Sequence, residues 1–192
     1  MTMKAQARVL GIDDAPFRFG DKSTSVVCTI TRLPSYLEGV IVGSVAVDGD
    51  DANDVLLTML RKSRYTEGLS LILLDGIALG GFNVLDIDLL YKELGIPIAT
   101  VTRDAPDMDS MIVVLKKKFA DWERRVEVIT RKEIQRIRTR HKPLYVTFEG
   151  ISLNELKEAI SLSTVRGALP EPLRIAHLIA TAIAKGESHG RA

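Results

Sequence analysis

The chain is poor in the residues that build most small catalytic centres. Its 192 residues include one cysteine, three histidines and one tryptophan. A lone thiol, Cys28, cannot form an intrachain disulfide, and its place in an apolar run marks it as a buried core residue in a reducing compartment. His141, His177 and His189 are scattered without metal-ligand spacing, so zinc and iron–sulfur centres are not expected; His177 reads as a structural residue of a helix. There is no Gly-x-Ser-x-Gly elbow for a serine nucleophile and no Gly-x-x-x-x-Gly-Lys-Ser/Thr phosphate loop. No apolar run approaches the roughly 20 residues of a membrane span, so no membrane partner is expected. Residues 1–8 carry no apolar segment of the secretory kind, and a cytoplasmic location is the expectation.

What is present is an ordinary globular composition, 46% hydrophobic and 27% charged. The length suits one domain over residues 1–192, with a frayed tail at 186–192. A net charge of +1 excludes a globally basic nucleic-acid binder. The charge is unevenly spread, however. Residues 116–142 hold eleven Lys or Arg against four acids, whereas residues 1–60 hold five against eight. An acidic cluster and a basic segment in one domain suit a metal site beside a phosphate-binding surface; a solvated basic helix and hairpin would give the same count.

The patterning predicts strands over 7–13, 24–33 and 37–47, the last two joined as an antiparallel hairpin through Leu33-Pro-Ser-Tyr36. A helix follows over about 51–64, with Asp51 as its N-cap. Leu69–Leu74 is a continuous apolar run of the buried parallel kind. After a glycine-rich connection, 76–83, come a helix near 84–94, a strand over 96–102 and an amphipathic helix over 107–124. Residues 126–139 are ambiguous, with two short strands as one reading. A strand at 144–148 and helices at 152–163 and 171–185 complete the order, with Ser152 and Glu155 as a capping box. This order gives an α/β fold, a mixed sheet with flanking helices, antiparallel at one side and parallel at the other. Ribonuclease-H-like nucleases share it.

Aspartates recur where apolar runs end. Asp13 and Asp14 close the first strand and point to opposite faces, so only one can face a site. Asp48, Asp50 and Asp51 lie where a strand passes into a helix. Asp75 follows Leu74 at the C-terminal end of a parallel strand, the edge where ligands collect in open α/β sheets. Each could equally cap or turn the chain. Should Asp13, Asp75 and one of Asp48 or Asp51 converge, their mutual repulsion would raise their pKa values or bind a cation. All-oxygen ligation suits Mg²⁺ or Mn²⁺, which activates water and stabilises a phosphodiester in displacement. Among other positions, Arg174 offers a phosphate contact or an ion pair with Glu171. Asn83 offers a ligand or a helix N-cap, and Trp122 and Tyr145 offer base stacking or packing.

Three segments, Gly11-Ile-Asp-Asp-Ala-Pro-Phe17, Leu74-Asp-Gly-Ile77 with Gly81-Phe-Asn-Val-Leu-Asp86, and Pro170-Glu-Pro-Leu-Arg-Ile-Ala-His177, carry a resemblance over nearly the whole chain. The sequence resembles the archaeal domain-of-unknown-function 99 family, the endonuclease dU family, which is similar to endonuclease V. Lys142-Pro-Leu-Tyr-Val146 followed by Gly150 is similar to the late strand of endonuclease V. The resemblance implies that Asp13 is the metal aspartate of the first strand and Asp75 that of the Asp-Gly strand end. Asp48 or Asp51 best replaces the glutamate that begins the endonuclease V helix, and Arg103 falls where that family keeps a lysine. The Pro-Tyr-Ile-Pro wedge is absent, with Tyr36-Leu-Glu-Gly39 nearby. Gly81-Phe-Asn83 stands for a His-Pro-Arg, and Ile151 for a histidine.

Together these readings imply a Mg²⁺- or Mn²⁺-dependent endonuclease that cleaves DNA near deaminated bases such as deoxyuridine. Asp13, Asp75 and Asp48 or Asp51 would hold the metal, Asp51 serving as the third catalytic acid. Arg103, Asn83 and Arg174 would meet the substrate. The partner is nucleic acid, DNA or RNA. A non-catalytic nucleic-acid binder and a phosphohydrolase of free nucleotides are the competing readings. Nothing in the sequence sets the oligomeric state.

Overall fold

The computed structural model describes residues 6–189. The first five residues of the N-terminal segment, and Gly190, Arg191 and Ala192 of the tail expected to fray, lie outside the described residues. A three-stranded meander opens the chain: β1 (Arg8–Asp14), β2 (Ser23–Arg32) and β3 (Tyr36–Ala46). Helix α1 (Ala52–Arg61), strand β4 (Leu69–Asp75) and a small hairpin of β5 (Ala78–Leu79) and β6 (Asn83–Val84) follow. Then come α2 (Ile87–Leu94), β7 (Ile98–Thr102), α3 (Met108–Lys118), α4 (Trp122–Thr130), β8 (Gln135–Ile137) and β9 (Leu144–Glu149). Helices α5 (Leu153–Ser163) and α6 (Glu171–Lys185) end the order.

Seven strands form one sheet in the order β3-β2-β1-β4-β7-β9-β8. Strands β1, β4 and β7 are parallel at its centre; β2 and β3 run antiparallel on one side, β9 and β8 on the other. The mixed α/β architecture read from the sequence is therefore the observed one, and it is ribonuclease-H-like. Alternation along the central strands sorts their side chains. Leu10, Ile12, Ile72, Leu74 and Ile98 pack under α1 and α2. Val9, Leu71, Leu73, Ala99 and Val101 pack on the other face under α5 and α6. Both faces are covered, so these strands read as unbroken apolar runs rather than alternating ones.

Local expectations fail where tertiary contacts intervene. The helix expected over 107–124 is broken at Phe119, whose backbone is extended (φ −122°, ψ 131°). Its ring meets Phe82 edge-on, centroids 5.9 Å apart, and lies 4.2 Å below the Arg125 guanidinium. Burying that ring outweighs one more helical turn. Residues 126–139 then continue α4 and contribute β8 alone as strand. Helix α2 starts at Ile87, with Asp86 accepting from the backbone N–H of Asp88 and Leu89; Asn83 is not its cap. The Ser152–Glu155 capping box forms as read.

Candidate functional site

Gly11 lies mid-strand in β1, where a missing side chain signals close approach of another backbone. A Cβ at that position would sit 2.2 Å from the carbonyl carbon of Pro172 in α6. The helix therefore lies directly on the strand, tied by the Thr29 hydroxyl, which donates to the Pro172 carbonyl at 2.6 Å. From there α6 runs alongside β1. Five helical residues from Pro172 to His177 advance about 7.5 Å. Two strand residues from Gly11 to Asp13 advance about 6.7 Å on the same face. His177 thus arrives beside Asp13, with Nδ1 2.8 Å from Asp13 Oδ2.

Asp75 reaches the same point from β4. Ile12 pairs with Leu74 in parallel register, so the next residues, Asp13 and Asp75, end adjacent strands side by side. One ligand atom each from Asp13, Asp75 and His177 lie within 4.8 Å of one another. Burial and the neighbouring Asp75 charge push the Asp13 carboxyl up to about 7, against the hydrogen bond from His177. Burial pushes Asp14 up to about 6; a backbone hydrogen bond from Gly80 opposes the rise and the Asp75 charge adds to it. Burial also raises Asp75, while the charges of Arg103 and His177 lower it. Carboxylates gathered in this way favour either a proton or a cation. The two carboxylate oxygens suit Mg²⁺ or Mn²⁺, and the imidazole offers a nitrogen beside them.

Several expected site residues stand elsewhere. Asp48 and Asp51 do not join the cluster of potential ligands found among the described residues. Asp51 occupies the N-cap position of α1 without capping it. It accepts instead from the Ala46 N–H at 3.1 and 3.3 Å and from Asn83 Nδ2 at 2.6 Å. Asp48 accepts from the Phe82 N–H at 2.9 Å. Asn83 is fully buried; its amide oxygen accepts from the Ala52 N–H and its nitrogen also donates to the Ala46 carbonyl. It braces the loop and presents no face to a substrate. Arg174 forms two parallel bonds, at 2.8 and 2.7 Å, with the buried Glu171, the ion-pair alternative of the sequence reading. Trp122 packs in the cluster of Phe82 and Phe119 with the Lys116 ammonium 5.0 Å over its ring.

Arg103 is exposed, and its charge lowers the Asp75 carboxyl against the effect of burial. His177 was missed as a donor because its partners lie over 100 residues earlier. The available signal was Gly11, two residues before Asp13, which announces a helix packed on that face of the strand.

Comparison with known proteins gives the family and the fold. The family model described as endonuclease dU matches residues 5–184. The UPF0215 protein of Methanothermobacter thermautotrophicus is 42% identical over 99% of this chain and 94% of its own. The crystal structure of an Archaeoglobus fulgidus protein of unknown function superposes with a TM-score of 0.83 at 36% identity, covering 93% of this chain and 98% of that one. Endonuclease V of Ciona intestinalis, solved with a DNA containing inosine followed by a ribo-adenosine, shares the fold. Its TM-score is 0.58 at 14% identity, over 91% of this chain and 84% of its own. The chain belongs to the endonuclease dU family.

Proposed function

We propose that the protein is a divalent-cation-dependent nuclease that hydrolyses a phosphodiester of DNA beside a deaminated base such as deoxyuridine. The observation that carries this reading is the convergence of Asp13, Asp75 and His177 where the parallel strands β1 and β4 end. The family's description, and the DNA-bound relative of the same fold, support nucleic acid as the substrate class.

Asp13, Asp75 and His177 fit a Mg²⁺ or Mn²⁺ ion, because their charges and burial leave a site that a cation would neutralise. When bound, such an ion supplies Lewis-acid stabilisation of the phosphoryl oxygens and lowers the pKa of water. The chain's own residues do the rest. Asp13 fixes the His177 ring by accepting from Nδ1 and leaves Nε2 directed by that bond. Asp75, raised by burial, is shielded by the Arg103 charge. Pairing of that guanidinium with a phosphate as the substrate approaches is the role the reading gives it.

The test is a labelled duplex with a single deoxyuridine, incubated with and without Mn²⁺. Cleavage near the lesion is expected, lost with chelator and slowed about 100-fold or more in Asp75→Asn, roughly 2.7 kcal/mol of barrier. Absence of metal-dependent cleavage of any deaminated DNA by the wild type, or an unchanged rate in Asp75→Asn, would reject the nuclease. Metal-independent binding without cleavage would leave a nucleic-acid-binding protein.

A further inference from the structure

Of the eleven basic residues of 116–142, Lys116, Lys117, Lys118, Arg136 and Lys142 are exposed and line no part of the groove between α5 and the loop after β8, and the other six divide into two parts. Arg124, Arg125, Arg131 and Lys132 are all engaged by acids: Asp50 and Asp121, Asp121, Asp86 with Asp88, and Asp88 with Glu149 respectively. Arg138 and Arg140, in the loop between β8 and β9, are exposed and make no ion pair among the described residues. The loop is shaped by Thr139, whose hydroxyl donates to the Lys142 carbonyl at 2.7 Å and accepts from the His141 N–H at 3.1 Å. Between this loop and α5 lies a groove of about 260 Å³. Arg138, Arg140, His141 and Lys157 rim it, and Ile137 and Ile160 lie among its apolar lining.

Position makes this groove more than a solvated patch. Ile137 pairs with Leu144, Tyr145 with Thr102, and Val101 with Asp75. The loop after Ile137 therefore leaves the sheet at the same edge as Asp13 and Asp75. Val101, Ile137 and Leu144 also share a core with Leu73 beneath α5 and α6, so the groove opens on the same face as the acids. Three strand steps, β4 to β7 to β9 to β8, separate the two. At about 4.8 Å per step the offset is roughly 14 Å, or about four base pairs of duplex at 3.4 Å each.

We propose that this groove is a second phosphate-binding surface, in which Arg138, Arg140 and Lys157 grip the nucleic-acid backbone about four base pairs from the acid cluster. The proposal rests on the nuclease reading for its partner, while its own basis is the unpaired charge and its place on the edge. Phosphate contacts of this kind set register along the strand and carry no sequence information. They contribute affinity that falls with salt, by a slope of about 0.9 per phosphate neutralised.

Binding of a duplex of about 30 base pairs, followed by fluorescence anisotropy in chelator over a salt series, tests the groove independently of cleavage. The variant Arg138→Gln/Arg140→Gln/Lys157→Gln alters only exposed side chains. It is expected to bind at least about tenfold more weakly, with the slope of log K against log salt reduced by about 2 to 3. Lys117→Gln/Lys118→Gln, exposed lysines on α3, should leave both unchanged. A wild-type slope in the triple variant, or an equal loss from the α3 pair, overturns the proposal. A wild type that binds with this dependence but cuts nothing keeps the groove and removes the nuclease; one that cuts while the triple variant keeps its slope removes the groove alone.

Discussion

The carboxylates at the ends of β1 and β4 and those of residues 48–51 follow apolar strands in the same manner, yet their surroundings differ. Asp51 and Asp48 are met by donors: the N–H groups of Ala46 and Phe82 and the amide of Asn83. Asp50 pairs with Arg124. The loop is further clamped by the buried Arg125, which donates to the carbonyls of Gly49 and Phe82 at 2.9 and 2.5 Å. Asp13 also meets donors, the Asp14 N–H and His177 Nδ1, but it lies close enough to Asp75, and buried enough, that charge on Asp75 raises it. The difference separates acids whose charge is satisfied within the fold from acids suited to the proposed metal site. A structural carboxylate has its lone pairs filled by donors within the fold. A ligand carboxylate is left with repulsion that only an added cation or proton relieves.

The strongest way to break this comparison is to remove one acid from each region. Asp75→Asn should slow cleavage about 100-fold or more while folding normally, since it deletes a charge that burial disfavours. Asp51→Ala should do the reverse. It strands the Ala46 N–H and one hydrogen of the Asn83 amide, a loss of about 1–3 kcal/mol, read as a thermal midpoint lower by several degrees. Cleavage per folded molecule should be kept. An Asp51→Ala protein of normal stability that has lost its metal response would place Asp51 among the ligands and dissolve the contrast.

A separate effect should appear in the pH dependence of the metal-free protein. Asp13 and Asp14 sit near 7 and 6 in the folded chain, against a usual carboxylate value near 4. Between those values the folded state holds more protons than the unfolded one, so stability falls as pH rises from about 4 to about 7. Because Mn²⁺ competes with the same protons, its stabilising effect should grow across that window. Thermal midpoints at both ends of the range, with and without Mn²⁺, check the sign. Asp13→Asn should flatten most of the dependence. A Mn²⁺ shift equal at both pH values would show that these carboxyls do not bind it.

Much of this was legible beforehand, and the boundary of legibility is physical. Asp13 and Asp75 could be found because a charge ending an unbroken apolar run must lie at a sheet edge. The parallel pairing of β1 and β4, which the apolar run of each strand already suggests, then brings them together. The meander, the central parallel strands and the last two helices followed from patterns that local sequence controls. His177 was hidden because only the fit of α6 onto Gly11 delivers it, a contact spanning more than 160 residues. The break at Phe119 was hidden for a like reason: the ring's partners, Phe82 and Arg125, come from two other segments. Asp48 and Asp51 looked like Asp13 and Asp75 because an acid ending a strand reads the same whether the neighbouring loop supplies donors or not. Asn83, the donor that decides the matter for Asp51, lies 32 residues away.

Asp48 gives the smallest expected effect and the sharpest check on the contrast. It adopts a left-handed backbone (φ 56°), which costs most residues energy but which asparagine tolerates nearly as well as aspartate. The amide oxygen of Asn can accept from the Phe82 N–H as Oδ1 does now. Asp48→Asn therefore keeps both the conformation and the hydrogen bond and removes only a charge. Stability should change by no more than about 0.5 kcal/mol, and neither the Mn²⁺ shift nor the cleavage rate should move. A ligand carboxylate converted to an amide would behave otherwise, losing charge where the cation needs it. Loss of the Mn²⁺ shift in Asp48→Asn would mean that this loop reaches the metal after all, and would dissolve the contrast between the two regions.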